Sequence, residues 1–425
     1  MKKFVALLLA LTLCIGLCAC GAQPEAPAAT EAPAATDAPA EETPAATGET
    51  ETTTASKDIK VGFIFLHDEN STYDLNFINA AKAACAEVGL SDDQVMMKTN
   101  ISESQACYDA AAELVDAGCD LIITDSFGHE SFALAAAKEF PEVHFVSCTG
   151  VKAHTEGLSN FHNAFASIYE GRYLAGVAAG LKLNEMIENG DITAEEAKMG
   201  YVGAFPYAEV KSGYTSFFLG ARSVCPSVTM EVTFTSSWYD EALEKEAANK
   251  LINNGCVLIS QHADSMGAPT ACETAGVPNV SYNGSTVAAC PNTFIVSSRI
   301  DWTPFFVYAI NCVASGEDIG YDWTGTLATG SVVLTDVNEQ AAAAGTAEKI
   351  AEVMKALEDG SVKVFDTATF TVNGETVTTY LADVDDLGDY VGETEAISDG
   401  VFLESFYRSA PYFDLDIDGI TNLDA

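Results

Sequence analysis

The apolar positions of the chain first form a regular pattern at about Lys60. Residues 60–65 and 198–203 are short apolar runs, and each predicts a buried strand. Residues 79–88 and 241–252 instead carry apolar positions at helical spacing, which predicts amphipathic helices. Strands that alternate with helices in this way indicate an α/β fold, in which helices cover both faces of a parallel sheet.

The alternating pattern occurs twice along the chain. Gly118 lies 58 residues after Lys60, and Gly255 lies 57 residues after Lys198; each glycine separates an amphipathic helix from an apolar strand. Both strands then run into the tetrapeptide D-S-x-G, at residues 125–128 and 264–267. Ligands of open parallel sheets bind beyond the carboxyl ends of the strands, so the repeat predicts two lobes with a ligand cleft between them.

The segment before the first strand has a different character. Lys2 and Lys3 precede an apolar run at residues 4–17, which is too short to span a bilayer and is typical of a secretory signal. The run ends in L-C-A-C-G, which resembles a bacterial lipobox with Cys20 as the acylated residue. We therefore expect a lipid anchor that holds the protein on the extracytoplasmic face of the cell membrane.

The domain boundaries follow from these patterns. Residues 1–20 are interpreted as signal peptide and lipobox, and residues 21–57, rich in Ala, Pro, Thr and Glu, as a disordered tether. Residues 58–425 are expected to form the bilobal domain, with the second lobe starting near residue 198 and more than one crossing between the lobes. An ordinary signal peptide with chance cysteines is the alternative for the N-terminus.

Composition limits the possible partners. The chain has 20 Lys and Arg against 62 Asp and Glu, a net charge of −42, which argues against nucleic acid polymers and against electrostatic binding to anionic lipids. Hydrophobic residues make up 48% of the chain, enough for a folded globule. The cysteines after Cys20 lack a C-x-x-C pair and are mostly flanked by apolar residues, so they are interpreted as small buried hydrophobes.

Several segments together resemble the basic membrane protein family of solute-binding lipoproteins, also described as purine nucleoside receptor-like. The resemblance runs from about Lys60 to Asp366 and implies a type I periplasmic-binding fold, in which two Rossmann-like lobes are crossed three times by the chain. It also implies delivery of a nucleoside or purine base to the permease of an ABC importer. The segments that carry it are residues 61–64, 125–128, 170–176, 219–223, 237–240, 261–265 and 301–302.

A purine requires flat faces for stacking and a few directed hydrogen bonds. Tyr73, Phe127 and Trp238 follow strands, where an aromatic ring is poorly explained by core packing, and the resemblance places Tyr73 and Trp238 among base-stacking rings. Packing of these rings on their own lobe is the alternative. The polar candidates are Asp74, Asn76, His262, Asp264 and Asn283, and Gly128 of the first tetrapeptide is also expected among the ligand-binding residues.

Some roles stay open at this level. His262 either binds a ring nitrogen of the ligand or orients Asp264, and Asp125 is expected to hold its own D-S-F-G turn. Family members often carry an acidic residue just after the position of Asn283, where this chain has Gly284. They also often have a Gly- and Asp-rich loop before the first helix, where this chain has residues 67–71. These departures leave the solute open, and a surface-anchored sensor or a binding module for another solute, such as a sugar, is the alternative function.

Catalysis, cofactors and metals are not expected. The chain lacks the common nucleophile, phosphate-loop and zinc-protease motifs, and neighbours such as His262, Asp264 and Ser265 rarely form a triad from one loop. Residues 414–419 resemble the start of an EF-hand loop, but the twelfth position is Ala425, so they are interpreted as an acidic tail. Residues 369–378 predict a strand pair that turns at Asn373-Gly374 and completes the second lobe.

Overall fold

A computed structural model describes residues 58–385 and 391–424. The predicted signal, lipobox and tether, including Cys20, lie outside the described residues. Within the described part of the chain, no helix has both the length and the apolar character needed to cross a membrane.

The first lobe is a parallel sheet with helices on both faces. Its strands are β1 (Val61–Ile64), β2 (Val95–Lys98), β3 (Leu121–Thr124), β4 (His144–Cys148), β5 (Phe161–Ala166) and β11 (Asp322–Gly325). They pair in the order β2-β1-β3-β4-β5-β11. Its helices are α1 (Thr72–Glu87), α2 (Gln105–Asp116), α3 (Glu130–Glu139), α4 (Ala153–Glu156) and α9 (Thr303–Ser315), with 3₁₀ turns at Asp92–Gln94 and Phe127–His129.

The second lobe repeats this arrangement. Its strands are β6 (Lys198–Gly203), β7 (Thr229–Phe234), β8 (Leu258–His262), β9 (Asn279–Tyr282), β10 (Phe294–Ile300), β12 (Val332–Leu334) and β17 (Ile420–Asn422). They pair in the order β12-β10-β9-β8-β6-β7-β17, and only β12 runs antiparallel to its neighbour among these strands. Its helices are α5 (Ile168–Asn189), α6 (Ala208–Val224), α7 (Glu241–Asn253), α8 (Gly267–Ala275) and α10 (Thr346–Glu358), with a 3₁₀ turn at Ala194–Glu196.

The chain passes between the sheets three times, after β5, after β10 and after β11. The central strands follow the same order in both lobes, as expected for a doubly wound α/β sheet. The prediction of two Rossmann-like lobes with the type I periplasmic-binding topology is therefore confirmed.

Local signals explain where the helices begin and how closely they pack. Asp240 caps α7 by accepting hydrogen bonds from the backbone N–H groups of Ala242 and Leu243. Helices α5 and α6 cross in direct backbone contact, because a Cβ on Gly176 would lie 2.0 Å from the carbonyl oxygen of Phe217. Glycine is therefore required for this crossing, which stiffens the second lobe.

The apolar core divides into clusters on the two faces of each sheet. Strands β1, β3 and β4 are buried on both faces, which explains their nearly continuous apolar sequence. The cysteines of the described part are buried free thiols, as the sequence predicted, and all except Cys290 lie in these clusters; they are Cys85, Cys107, Cys119, Cys148, Cys225, Cys256, Cys272, Cys290 and Cys312.

The C-terminal segment differs from its prediction. Asn373 and Gly374 do form a turn with positive φ angles of 53° and 81°, but the predicted strand pair is wrong. The pairing is limited to one bridge between Val372 and Glu375. The two arms of the turn have other backbone partners, since the carbonyl oxygen of Thr371 accepts from the Asp418 N–H and that of Tyr380 from the Ala396 N–H, both at 2.8 Å.

The same segment completes the second lobe by adding β17 beside β7, as expected, but it also reaches the first lobe. Asp322 of β11 accepts hydrogen bonds from the N–H and hydroxyl of Ser409, at 3.0 and 2.7 Å. Two short antiparallel pairs lie in this segment: β13 (Leu381–Ala382) with β14 (Thr394–Glu395), and β15 (Ile397–Ser398) with β16 (Val401–Phe402). The C-terminal segment therefore contacts both lobes.

The EF-hand-like stretch is held by protein contacts. Lys211 of α6 lies 2.7 Å from a carboxylate oxygen of Asp414 and 3.3 Å from one of Asp416. Asp418 faces Thr371 and Gly374 instead, so it does not share the partner of Asp414 and Asp416. They attach the C-terminal segment to the second lobe.

Candidate ligand-binding site

The two D-S-x-G tetrapeptides occupy equivalent places at the carboxyl ends of β3 and β8. Glu103 holds the first one, accepting hydrogen bonds from the Ser126 hydroxyl at 2.6 Å and the Gly128 N–H at 3.0 Å. Glu244 holds the second one, accepting from the Ser265 N–H at 3.2 Å. In each lobe, a carboxylate from the region of the preceding helix thus fixes the loop that faces the other lobe.

The lobes touch beside these loops. The carbonyl oxygen of Asp264, in the second lobe, accepts hydrogen bonds from the N–H and the hydroxyl of Thr72, both at 3.1 Å. Thr72 is the first residue of α1 in the first lobe. The lobes are therefore closed on each other in this structure.

A pocket lies between the closed lobes, with an empty volume of about 380 Å³ that includes space open to solvent. The side chains leave room for little more than a water molecule, so a ligand requires the lobes or the rings to move apart. The lining residues are Leu66, His67, Tyr73, Asp74, Ser126, Phe127, Thr149, Glu209, Trp238, His262, Asp264 and Tyr282.

Aromatic rings from both lobes meet at this pocket. Phe127 is 39% exposed, and its ring centroid lies 5.7 Å from that of Tyr207 in the second lobe. Tyr207 in turn lies 6.2 Å from Trp238 and stacks on Phe205 at 5.1 Å. The predicted rings Phe127 and Trp238 are thus joined through Tyr207, which the sequence pattern did not single out.

Tyr73 combines the two roles considered for it. It lines the pocket, but its ring packs on Phe77 of its own helix at 4.9 Å. Its hydroxyl donates a hydrogen bond to the carbonyl oxygen of Asp125 at 2.6 Å. This ring is therefore held firmly by its own lobe while one side faces the ligand space.

Asp74 and Asp264 bring buried carboxylates to opposite walls. Burial favours the protonated form of Asp74, but hydrogen bonds from His67 and Ser71 outweigh it and lower the pKa of Asp74. Burial and the nearby Asp74 raise the pKa of Asp264 well above its usual range, although Asn283 donates a hydrogen bond to its Oδ1 at 3.3 Å. A ligand that donates hydrogen bonds would stabilise the ionised form of Asp264.

His262 lines the pocket, and its side chain is bonded to Glu209 rather than to Asp264. It lies at the end of β8, and its Nε2 is 3.3 Å from Oε1 of Glu209. Burial lowers the pKa of His262 more than Glu209 raises it, which favours the neutral imidazole. Behind it, the buried guanidinium of Arg172 lies 4.4 Å from the ring centroid of Tyr282, which anchors that wall of the pocket.

Three of the predicted residues do not line the pocket. The amide of Asn76 donates a hydrogen bond to the carbonyl oxygen of Ile300 and accepts one from Arg299. The N–H of Gly128 is bonded to Glu103. Asn283 contacts the pocket only through Asp264. Asp125 also lies outside the lining. Its carboxylate accepts from the N–H of Leu66 at 3.0 Å, so it joins its own turn to the loop after β1.

Sequence reasoning missed His67, Glu209 and Tyr282, which all line the pocket. A signal for each was present, because His67 and Glu209 follow β1 and β6, and Tyr282 ends β9. These positions lie at the same edge of the two sheets as the tetrapeptides. A search of every strand end, rather than of the repeated tetrapeptides alone, would have included them.

The groups of the site can stack on a ring and accept hydrogen bonds, and they show no arrangement for catalysis. The side chains of His262, Asp264 and Ser265 face Glu209, Asn283 and Glu244, respectively, so they do not form a triad. Two doubly wound lobes that close on a pocket of this kind define a solute-binding protein of the type I periplasmic-binding class.

The particular family follows from a sequence comparison. The model of the Bmp family, described as ABC transporter substrate-binding protein PnrA-like, matches residues 64–364, and this chain belongs to that family. It is therefore an ABC transporter solute-binding protein, and proteins of this class are extracytoplasmic and generally not enzymes. The resemblance identified from the sequence is confirmed.

Individual relatives agree on the class and differ in ligand. A purine-binding protein of Brucella abortus is 31% identical over 265 residues, which cover 62% of this chain and 71% of that protein. A Haloferax volcanii protein named as an ABC transporter glucose-binding protein is 29% identical over 312 residues, 69% of this chain and 74% of its own. A solved solute-binding protein of Conexibacter woesei has a TM-score of 0.58 at 20% identity, covering 72% of this chain and 98% of its own, and supports the fold.

Proposed function

We propose that the protein captures an uncharged purine nucleoside or base between its lobes and delivers it to the permease of an ABC importer. The observation that carries this proposal is the chemistry of the pocket lining. Aromatic rings from both lobes stand beside the carboxylates of Asp74, Glu209 and Asp264, and none of the described lining residues is a lysine or an arginine. Such a lining favours a flat ligand that donates hydrogen bonds and carries no negative charge.

Each part of a nucleoside has a matching group. Phe127 and Trp238 offer faces for the base, and stacking of this kind contributes about 1–3 kcal/mol per base. Asp74 and Asp264 accept hydrogen bonds, as ribose hydroxyls require, and Glu209 accepts from an exocyclic amine or a ring N–H. A phosphate group would meet the carboxylates of Asp74 and Glu209 with no lysine or arginine in the described lining, so nucleotides are expected to be rejected.

The purine-binding relative from Brucella supports this ligand class. The second candidate is a sugar, which the glucose-binding name of the Haloferax relative favours. Aromatic faces and carboxylates also suit a hydroxylated sugar ring, so the two candidates differ in the ligand rather than in the class of site. A sensor of this fold would use the same cleft, and uptake by cells that lack the gene separates it from an importer subunit.

The ligand is tested by calorimetry and thermal shift on the secreted chain without its signal. The panel contains adenosine, inosine, guanosine, adenine, AMP and glucose. We expect at least one nucleoside or base to raise the melting temperature, as about 2.7 kcal/mol of stabilisation follows at 100 times Kd, and AMP to have no effect. A shift with glucose alone would replace the purine by the sugar proposal, and AMP binding as tight as adenosine would contradict the charge argument.

We further propose that acyl chains at Cys20 hold the protein on the extracytoplasmic face, with residues 21–57 as the tether. The lipobox-like sequence and the function of the family support this anchor. In cells, the wild-type protein should partition with membranes and incorporate labelled palmitate. Cys20→Ala should be released and unlabelled, whereas Cys14→Ala, inside the signal, should behave as wild type. Equal membrane partitioning of the Cys20 variant would contradict the anchor.

A further inference from the structure

A second, larger cavity adjoins the ligand pocket. It has an empty volume of about 1290 Å³ and shares Phe127, Thr149 and Glu209 with the pocket between the lobes. Phe127, one of these shared residues, packs against Tyr207, so the two spaces adjoin each other beside these rings. We call the larger space the side chamber.

The outer wall of the side chamber comes from the C-terminal segment, beyond the residues that match the family. That match ends at residue 364, whereas Tyr380, Leu381, Asp383, Arg408 and Tyr412 all line the chamber. The opposite wall belongs to the two lobes. A segment that lies outside the family match therefore builds part of a cavity that adjoins the pocket between the lobes.

The wall is attached to both lobes. On the first lobe, Asp322 binds Ser409, and the Nε2 of His154 lies 3.1 Å from the carbonyl oxygen of Val384. On the second lobe, Lys211 pairs with Asp414 at 2.7 Å. These contacts make the chamber a built feature of the closed protein and not a gap beside a loose tail.

The lining determines what the chamber would accept. Tyr207, Tyr380 and Tyr412 supply aromatic faces, and Glu209 and Asp383 supply carboxylates. Aromatic faces pack on the C–H face of a sugar ring, and carboxylates accept bonds from its hydroxyls.

The chamber also contains Arg408, but its guanidinium is used by the wall itself. It donates hydrogen bonds to the carbonyl oxygens of Val384, Ala410 and Pro411, at 3.1 to 3.2 Å. The arginine therefore holds the C-terminal segment in shape rather than presenting an anion site. An anionic substituent would be opposed by the carboxylates of the chamber.

We propose that the pocket and the side chamber form one elongated site, and that the chamber binds an uncharged second ring carried by the solute, such as a sugar. This inference rests on the proposed function for the identity of the first ring. It assigns a binding role to the C-terminal segment and makes the natural solute larger than a simple nucleoside.

The test compares short and extended probes by calorimetry. Adenosine is paired with N6-furfuryladenosine, which extends the base, and with 2′-O-ribosyladenosine, which extends the ribose; glucose is paired with maltose. Leu381→Trp places a larger side chain in the chamber, and Leu381 is 55% exposed, so the change should not unfold the protein. Leu243→Trp, at an exposed position of α7 outside both cavities, is the matched control.

We expect an extended probe to bind the wild type at least as tightly as its short partner. Leu381→Trp should weaken that extended probe at least tenfold and the short partner less than twofold, and Leu243→Trp should change neither. The inference is overturned if the extended probes bind tenfold more weakly than the short ones, or if Leu381→Trp affects both members equally or not at all. Binding by the sugar pair alone would overturn the purine proposal but not the chamber, and failure of every pair would overturn both.

Discussion

Removing the Phe127 ring should separate ligand binding from folding. The side chain is 39% exposed and faces both cavities, and its ring neighbour is Tyr207 at 5.7 Å rather than a buried core. Phe127→Ala should therefore change the free energy of unfolding by less than about 1 kcal/mol, as for other exposed positions.

The effect on binding should be much larger, because a stacked base loses about 1–3 kcal/mol when its aromatic partner is removed. At about 1.4 kcal/mol for each factor of ten, Kd should rise about 5- to 150-fold. Calorimetry with the best nucleoside of the panel measures Kd, and urea unfolding of the ligand-free protein measures stability.

The matched control is Phe406→Ala, which removes a 73% exposed ring that lines neither cavity. It should leave both Kd and stability unchanged. Phe127→Tyr should retain most of the affinity, since it keeps the face of the ring. If Phe127→Ala binds the nucleoside within twofold of the wild type, the ring does not contact the ligand and the stacking argument fails.

Three further predictions concern the protein without ligand. Burial raises the pKa of Glu404 to about 7, so the contribution of its protonated form to stability is complete below pH 4.5 and is lost as the pH rises through 7. The free energy of unfolding should therefore fall by about 3 kcal/mol over this range, and Glu404→Gln should remove that fall in urea titrations. An unchanged pH profile in the variant would contradict this prediction. Gly176→Ala and Gly220→Ala should each destabilise the protein by about 1–3 kcal/mol, because both changes disturb the α5–α6 crossing. Gly284→Ala, whose Cβ would meet Thr72 at an ordinary 3.6 Å, should not. Equal melting temperatures of the three variants would refute the packing argument. The buried cysteines should react with a thiol reagent at pH 8 only after unfolding, since burial raises the pKa of thiols such as Cys85 to about 11, and rapid labelling of the native protein would show that they are exposed.

The sequence predicted much of the site because the internal repeat identified the strands whose ends form it. The strands before residues 125–128 and 264–267 are locally encoded, and parallel pairing brings their carboxyl ends to one edge of each sheet. The repeat alone therefore identifies Phe127 and Asp264 as candidates. Tyr207 and Glu209 were missed because they follow β6 in a segment without a repeated motif.

The C-terminal segment was misjudged for a different reason. Asn373-Gly374 carries a strong local turn signal, and the turn forms, but the strands beside it depend on what else is near. The carbonyl oxygen of Thr371, beside the turn, accepts instead from the N–H of Asp418, 47 residues further along the chain. Nothing in the local pattern could show that partner.

The sequence by itself determined the alternation of strands and helices, the duplication and the aromatic and acidic character of the site, since these depend on burial patterns and backbone preferences over short stretches. Only the tertiary structure decided which polar groups remain for a ligand. The amide of Asn76 donates its hydrogen bond to the carbonyl oxygen of Ile300, 224 residues away. The hydroxyl of Tyr73 donates to the backbone carbonyl oxygen of Asp125. Hydrogen-bond partners so distant in sequence are set by packing, as is the C-terminal wall that adds the side chamber.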